Sequence, residues 1–135
     1  MKKAIILLSM IVLVGACTNI QPQGPVQVDS VKEIVEKEYE LVNLFPGQGL
    51  TVGFDEEGRI FGYSGLNRFF GKVEISNGNI VVTDLASTRM GGPKEDLIRE
   101  DQYLSLLKGM KKIEQENGQL VLTNEKEEKL IFKKR

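Results

Sequence analysis

Phe69-Phe70-Gly71-Lys72-Val73-Glu74-Ile75-Ser76-Asn77-Gly78-Asn79-Ile80-Val81-Val82-Thr83 is the stretch whose reading decides the fold. Phe69, Gly71, Val73 and Ile75 alternate against Lys72 and Glu74, the two-residue period of a strand with one face on a core. Asn77-Gly78 then supplies the positive φ of a tight primed turn, and Ile80 to Thr83 follows at once. The stretch predicts a β-hairpin.

The same pattern continues in both directions. Tyr39 to Leu44 alternates, as do Leu50, Val52 and Phe54; Ile60 to Tyr63 is aromatic and β-branched, and Asp55-Glu56-Glu57-Gly58 reads as the turn before it. After Pro93 the period becomes helical. Glu95 and Asp96 suit a first turn, Leu97, Tyr103, Leu104, Leu107 and Met110 share a broad face, and Gly109 or the basic pair after it marks the stop. Strands resume over Lys111 to Glu116, Leu120 to Thr123 and Leu130 to Phe132, with turns at Asn117-Gly118 and Asn124 to Glu127. Seven or eight short strands with one helix before the last three predict a mainly β fold, a small antiparallel barrel, closed or half-open, with one packed α-helix. Closure removes the exposed edges that an open sheet would leave. Gly53, Gly62 and Gly71 suit tight bends within strands. A β-sandwich is the alternative at this stage.

Ahead of the domain, Lys2 and Lys3 precede an apolar run from Ala4 to Val14 that ends in Val14-Gly15-Ala16-Cys17. A charged start, a short apolar core and small residues before the cut are a secretory signal, too short for a comfortable membrane span. Leu13-Val14-Gly15-Ala16-Cys17 resembles the lipobox of bacterial lipoproteins. That resemblance implies cleavage before Cys17 and acylation of its sulfur and new amine, so the expected membrane contact is an N-terminal lipid. Cys17 is the only cysteine, and no intramolecular disulfide is expected. The expected organisation is a signal peptide over 1–16, a lipidated terminus with tether and short helix over 17–38, and one domain over 39–135. Thr18 to Val28, with Pro22 and Pro25, reads as a mobile tether. Ser30 with Glu33 has capping-box spacing, and Val31, Ile34 and Val35 share a face, although these residues also suit a strand.

Composition excludes several functions. The net charge is -1 with both signs interspersed, so no basic face gathers phosphates and nucleic acid is not an expected partner. The chain has no histidine, which removes Ser-His-Asp triads, Cys-His dyads and histidine metal sites. Gly62-Tyr63-Ser64-Gly65 lacks both the glycine spacing of a nucleophile elbow and a base. Asp55-Glu56-Glu57-Gly58 and Glu125-Lys126-Glu127-Glu128 lack calcium-loop spacing and read as solvated turns. No catalytic residue, metal or cofactor is expected, and the protein reads as a non-enzyme.

Gly65-Leu66-Asn67-Arg68-Phe69-Phe70-Gly71, followed by Leu85-Ala86-Ser87-Thr88-Arg89-Met90, resembles the META domain family, also called HslJ-like, over nearly all of Tyr39 to Arg135. The order around these blocks agrees: an opening strand with Tyr39 where tryptophan is usual, a Phe54-Asp55-x-x-Gly58-Arg59 hairpin, the helix, and two closing strands. The resemblance implies a barrel-like β domain with one helix, frequently exported or lipid-anchored, associated with heat shock and novobiocin resistance, with no established reaction. Likeness to pilot lipoproteins of secretion systems is fold-level analogy. Two positions depart from the family. Leu66 stands where the first block usually has cysteine, and Gly91-Gly92 stand where the second ends in alanine-cysteine. Their joint loss implies that Leu66 and Gly92 are close in space.

The motif residues Gly65, Asn67, Thr88 and Arg89 carry over, with a structural role weighted above ligand binding. Asn67 is expected in a left-handed turn; Arg89 suits either an anionic ligand or carbonyls at the barrel rim. Phe61, Tyr63, Phe69 and Phe70 suit core packing or the lining of an acyl cavity. The functional expectation is an envelope stress or maintenance factor, lipid-anchored, at the periplasmic face of the outer membrane if the cell has two membranes. Its rivals are a carrier of lipid or another hydrophobic ligand, which needs a cavity, and a pilot-type protein-interaction module, which needs an exposed apolar patch on the helix or rim.

Overall fold

In the computed structural model of the chain, residues 24–35 and 38–135 are described. The expected signal peptide, Cys17 and the expected tether up to Gln23 lie outside them. The hairpin that opened the reading is β5 (Arg68–Ser76) and β6 (Asn79–Ser87), with Asn77 and Gly78 at φ 50° and 77° between them. Asn117 and Gly118, at 51° and 75°, make the matching turn between β7 (Met110–Glu116) and β8 (Gln119–Asn124). The other strands are β1 (Val26–Gln27), β2 (Tyr39–Leu41), β3 (Thr51–Phe54), β4 (Arg59–Tyr63) and β9 (Lys129–Lys134), and the helix is α1 (Lys94–Lys108).

Neighbours run β7-β6-β5-β4-β3-β2-β9-β8, and β8 pairs back to β7, closing an antiparallel ring of eight strands. The fold is therefore a closed barrel with one helix, not a sandwich. Closure between β6 and β7 rests on one pair, Asn79 with Lys112. The β5–β6 register slips between Phe70 and Lys72, where Asp84 takes a left-handed φ of 53° and bulges β6 opposite Gly71. β2 ends earlier than the alternation predicted. Past Leu41 the Asn43 side chain takes over the pairing with β9, its amide donating to Lys129 O (2.8 Å) and its oxygen accepting from Ile131 N (2.9 Å).

Both ends of the barrel are closed by chain. α1 crosses the end where β3, β5 and β7 begin, adding Tyr103 and Leu107, both 0% exposed, to the buried core that also holds Phe69, Ile113, Leu122 and Phe132. The Tyr103 ring meets Phe69 edge-on at 5.8 Å, and its hydroxyl donates to Thr51 O at 2.8 Å. Leu97 departs from the predicted face: it is 45% exposed, because the buried stripe runs through Glu100, Tyr103 and Leu107.

The opposite end is closed by the segment expected to be a mobile tether and short helix. β1 pairs with β7, the Val28 amide donates to Ile113 O (3.2 Å), and Gly78 N donates to Val28 O (2.9 Å). Val28 and Ile34 are each 1% exposed. The tether reading is thus corrected from Val26 onward. Its backbone finds partners on a strand edge, and two apolar side chains find a core, which offsets the entropy of ordering. The helix is a single 3-10 turn over Val31–Glu33, where Ser30 Oγ accepts from Lys32 N and Glu33 returns a carboxylate oxygen to Asp29 N.

Candidate functional site

The motif residues gather at the helix-covered end of the barrel. Between β4 and β5 the chain reverses through Ser64, Gly65, Leu66 and Asn67, and the left-handed position falls on Gly65, at φ 93°. A side chain there would be strained. This corrects the placement of Asn67, which is not left-handed but buried, 3% exposed, with its side chain as the hub of the site.

Asn67 Oδ1 accepts from Met90 N (2.7 Å) and from Thr88 Oγ1 (3.1 Å), while its amide donates to Met90 O (3.3 Å) and Glu100 Oε2 (2.8 Å). Its own carbonyl accepts from Ser64 N and Ser64 Oγ. One side chain therefore ties the β4–β5 turn, the segment after β6 and the second turn of α1 together. Thr88 closes the same circuit, its backbone N–H donating to Arg68 O at 3.0 Å. No fully buried side-chain polar atom among the described residues lacks a partner, so the hub's buried groups are spent on holding these segments together.

Leu66 and Gly92 lie in contact. A Cβ placed on Gly92 would stand 2.8 Å from Leu66 Cδ1 and 3.6 Å from Cγ, so a side chain there would need the methyl end of that leucine to swing aside. Arg89 is exposed and makes no hydrogen bond or ion pair with the described residues. Met90 beside it is 62% exposed, and on α1 Leu97 and Ile98 are 45% and 48% exposed. A groove of about 670 Å³ adjoins the C-terminal half of α1, walled by Leu44, Phe45 and Leu106 and rimmed by Lys111, Lys126 and Glu128.

The four aromatics separate. Phe69 is core at 1% exposure, Phe61 and Tyr63 are half-buried, and Phe70 stands on the outer wall at 56% exposure. Burial pushes the Tyr103 hydroxyl well above its ordinary ionisation near 10. The Asp55 turn lies at the other end. Desolvation pulls its carboxyl upward most strongly, but the Arg59 amide, the Arg59 guanidinium at 2.6 Å and the Glu57 amide together hold it below its ordinary value of 3.8. Its partners close the hairpin turn on itself. Among the described residues no group of three or more acidic, cysteine or histidine side chains is placed to hold a metal.

Glu100 is the site residue that sequence reading missed. The signal was present, since it stands three and seven positions before Tyr103 and Leu107, on the stripe that the helix buries.

An eight-stranded antiparallel barrel with a helix across one end, latched by an asparagine hub, defines the class. The chain belongs to the META domain family, whose model matches residues 32–135. The match begins seven residues before the sequence-predicted start at Tyr39, within the segment that closes the second end. An NMR structure of a protein from Burkholderia xenovorans is similar, with a TM-score of 0.63 and 17% identity over 86% of this chain and 96% of that one. Another protein solved by NMR has a TM-score of 0.60 and 26% identity over 78% of this chain and 95% of that one. No curated protein matches the chain.

Proposed function

We propose that this protein is an envelope lipoprotein, anchored through acyl chains on Cys17, whose META domain works without catalysis by docking another protein at its helix-covered end. The observation that carries the reading is the contrast at that end. Met90, Leu97 and Ile98 are exposed apolar side chains, while Phe69, Tyr103 and Phe132 fill the barrel beneath them at 0 to 1% exposure. A hydrophobic-ligand carrier needs an interior space, and a filled interior favours a surface role. The heat-shock and novobiocin associations implied by the family resemblance make it a stress or maintenance factor of the envelope, on the periplasmic face of the outer membrane in a two-membrane cell.

Two measurements test this. Metabolic labelling with palmitate should mark the protein, and Cys17→Ser should abolish the label. Native mass spectrometry of the domain purified gently from its own envelope should give a complex with a protein, weakened by Leu97→Asp with Ile98→Asp. A co-purifying lipid in its place would refute the docking role, and an unlabelled wild type would refute the anchor.

A further inference from the structure

We infer that Val26 to Ile34 form a latch on the barrel: they hold shut its thin seam between β6 and β7, and when they lift the wall opens there while the rest of the ring stays paired. The latch is independent of the docking role, since it works at the end of the barrel away from α1.

The seam is thin by its register. β7 pairs with β8 from Met110 to Glu116, but with β6 it shares the single pair Asn79 with Lys112. Beside that pair Ile113 N donates to Gly78 O at 3.0 Å. The other backbone groups of the same two residues bond to the strap instead. Val28 stands between them, its carbonyl accepting from Gly78 N (2.9 Å) and its amide donating to Ile113 O (3.2 Å). One strap residue therefore spans the seam and satisfies both sides of it. Gln27 and Val26 continue along the edge of β7, opposite Glu114 and Gln115.

The grip of this strap is slight. Val28 and Ile34 are its only fully buried side chains, each 1% exposed, whereas Val26 is 56% exposed. The Tyr39 hydroxyl adds one bond, to Ile34 O at 3.2 Å. A segment with so few buried contacts opens at a lower free energy than the whole domain. At its other end the seam is tied, because the chain runs from β6 into α1 and from α1 into β7, and Tyr103 and Leu107 bury α1 in the core. The wall is thus hinged at α1 and latched at Val28. Its opening uncovers Ile80, Val82 and Ile113, which are 0 to 5% exposed while it is shut.

Native-state hydrogen exchange on the protein in a Cys17→Ser background tests the latch. The amides of Val28, Gly78 and Ile113 should exchange together, faster than the slowest amides of the β4–β5 and β8–β9 ladders by about tenfold or more, and with a weaker dependence on denaturant because less surface is exposed. Val28→Ala should speed all three about tenfold. Tyr103→Phe, at the hinge, should speed the ladder amides alone, since its bond to Thr51 O persists in the opened wall and is lost only on unfolding. Two results would overturn the inference. If Tyr103→Phe speeds all of these amides equally, the seam opens only with global unfolding. If Val28 and Gly78 run ahead while Ile113 keeps the pace of the ladders, the strap frays and the seam stays shut.

Discussion

Joining positions 66 and 92 by a disulfide is the most demanding test of the site geometry. A Cβ on Gly92 would come to 2.8 Å of Leu66 Cδ1, but that methyl is the end of a flexible, half-buried side chain beside an exposed loop, so it can swing aside and Gly92→Cys alone is expected to cost little. Leu66→Cys removes the obstructing methyls. A sulfur at the position of Leu66 Cγ would stand about 3.6 Å from the new Cβ, near enough for bonding after a small shift. Gly92 also lies outside the left-handed region, so cysteine is tolerated by the backbone. Closing a loop of about 26 residues is worth roughly 3.5 kcal/mol in the chain-entropy model, and the half-buried Leu66 side chain that is lost returns about 1 kcal/mol. The net gain, about 2–3 kcal/mol, should raise Tm by on the order of 10 °C in a domain of this size. The assay is thermal unfolding of the double variant in a Cys17→Ser background, oxidised and reduced, with a thiol titration of the native protein. Free thiols in folded, oxidised protein would refute the contact.

The remaining predictions concern the hub and the buried tyrosine. Asn67→Ala leaves the Met90 amide and the Glu100 carboxylate without their partner and should cost about 2–4 kcal/mol, read as a lower urea midpoint at an unchanged slope. Asn67→Asp should be worse, since a second carboxylate would face Glu100; a stability equal to wild type would remove the hub from its assigned role. Tyr103→Phe loses the bond to Thr51 O and should cost about 1–2 kcal/mol at neutral pH. Because burial raises the hydroxyl above its ordinary 10, the folded state favours the protonated form. Its contribution is complete below about pH 10 and declines as pH rises past that value toward the folded one. Denaturation followed from about pH 8 to 11 should show a steeper alkaline decline in wild type than in Tyr103→Phe, and identical profiles would count against the cause assigned here.

The sequence by itself determined the hairpins and the strands of the barrel ring, though not β1. Two-residue alternation and the Asn-Gly turns act locally, and a one-residue slip would turn every apolar side chain outward. It also brought Leu66 and Gly92 together, because the resemblance supplied two positions changed in concert. Other features were decided only in three dimensions. Asn67 carries no local mark of being a buried hub, since its partners at 88, 90 and 100 become neighbours only when the ring closes and α1 crosses its end. Glu100 is accommodated on a buried stripe because an amide from a distant turn meets its side chain, and periodicity alone assigns that stripe to apolar residues. Val26 to Val28 reads as the end of a tether and Ser30 to Val35 as a short helix while considered as local sequence, for their few apolar residues cannot offset ordering unless an open strand edge and an uncovered barrel end already exist to receive them. Local chemistry thus fixed which segments pair, and the closed barrel fixed which polar groups meet and which apolar side chains are left facing outward.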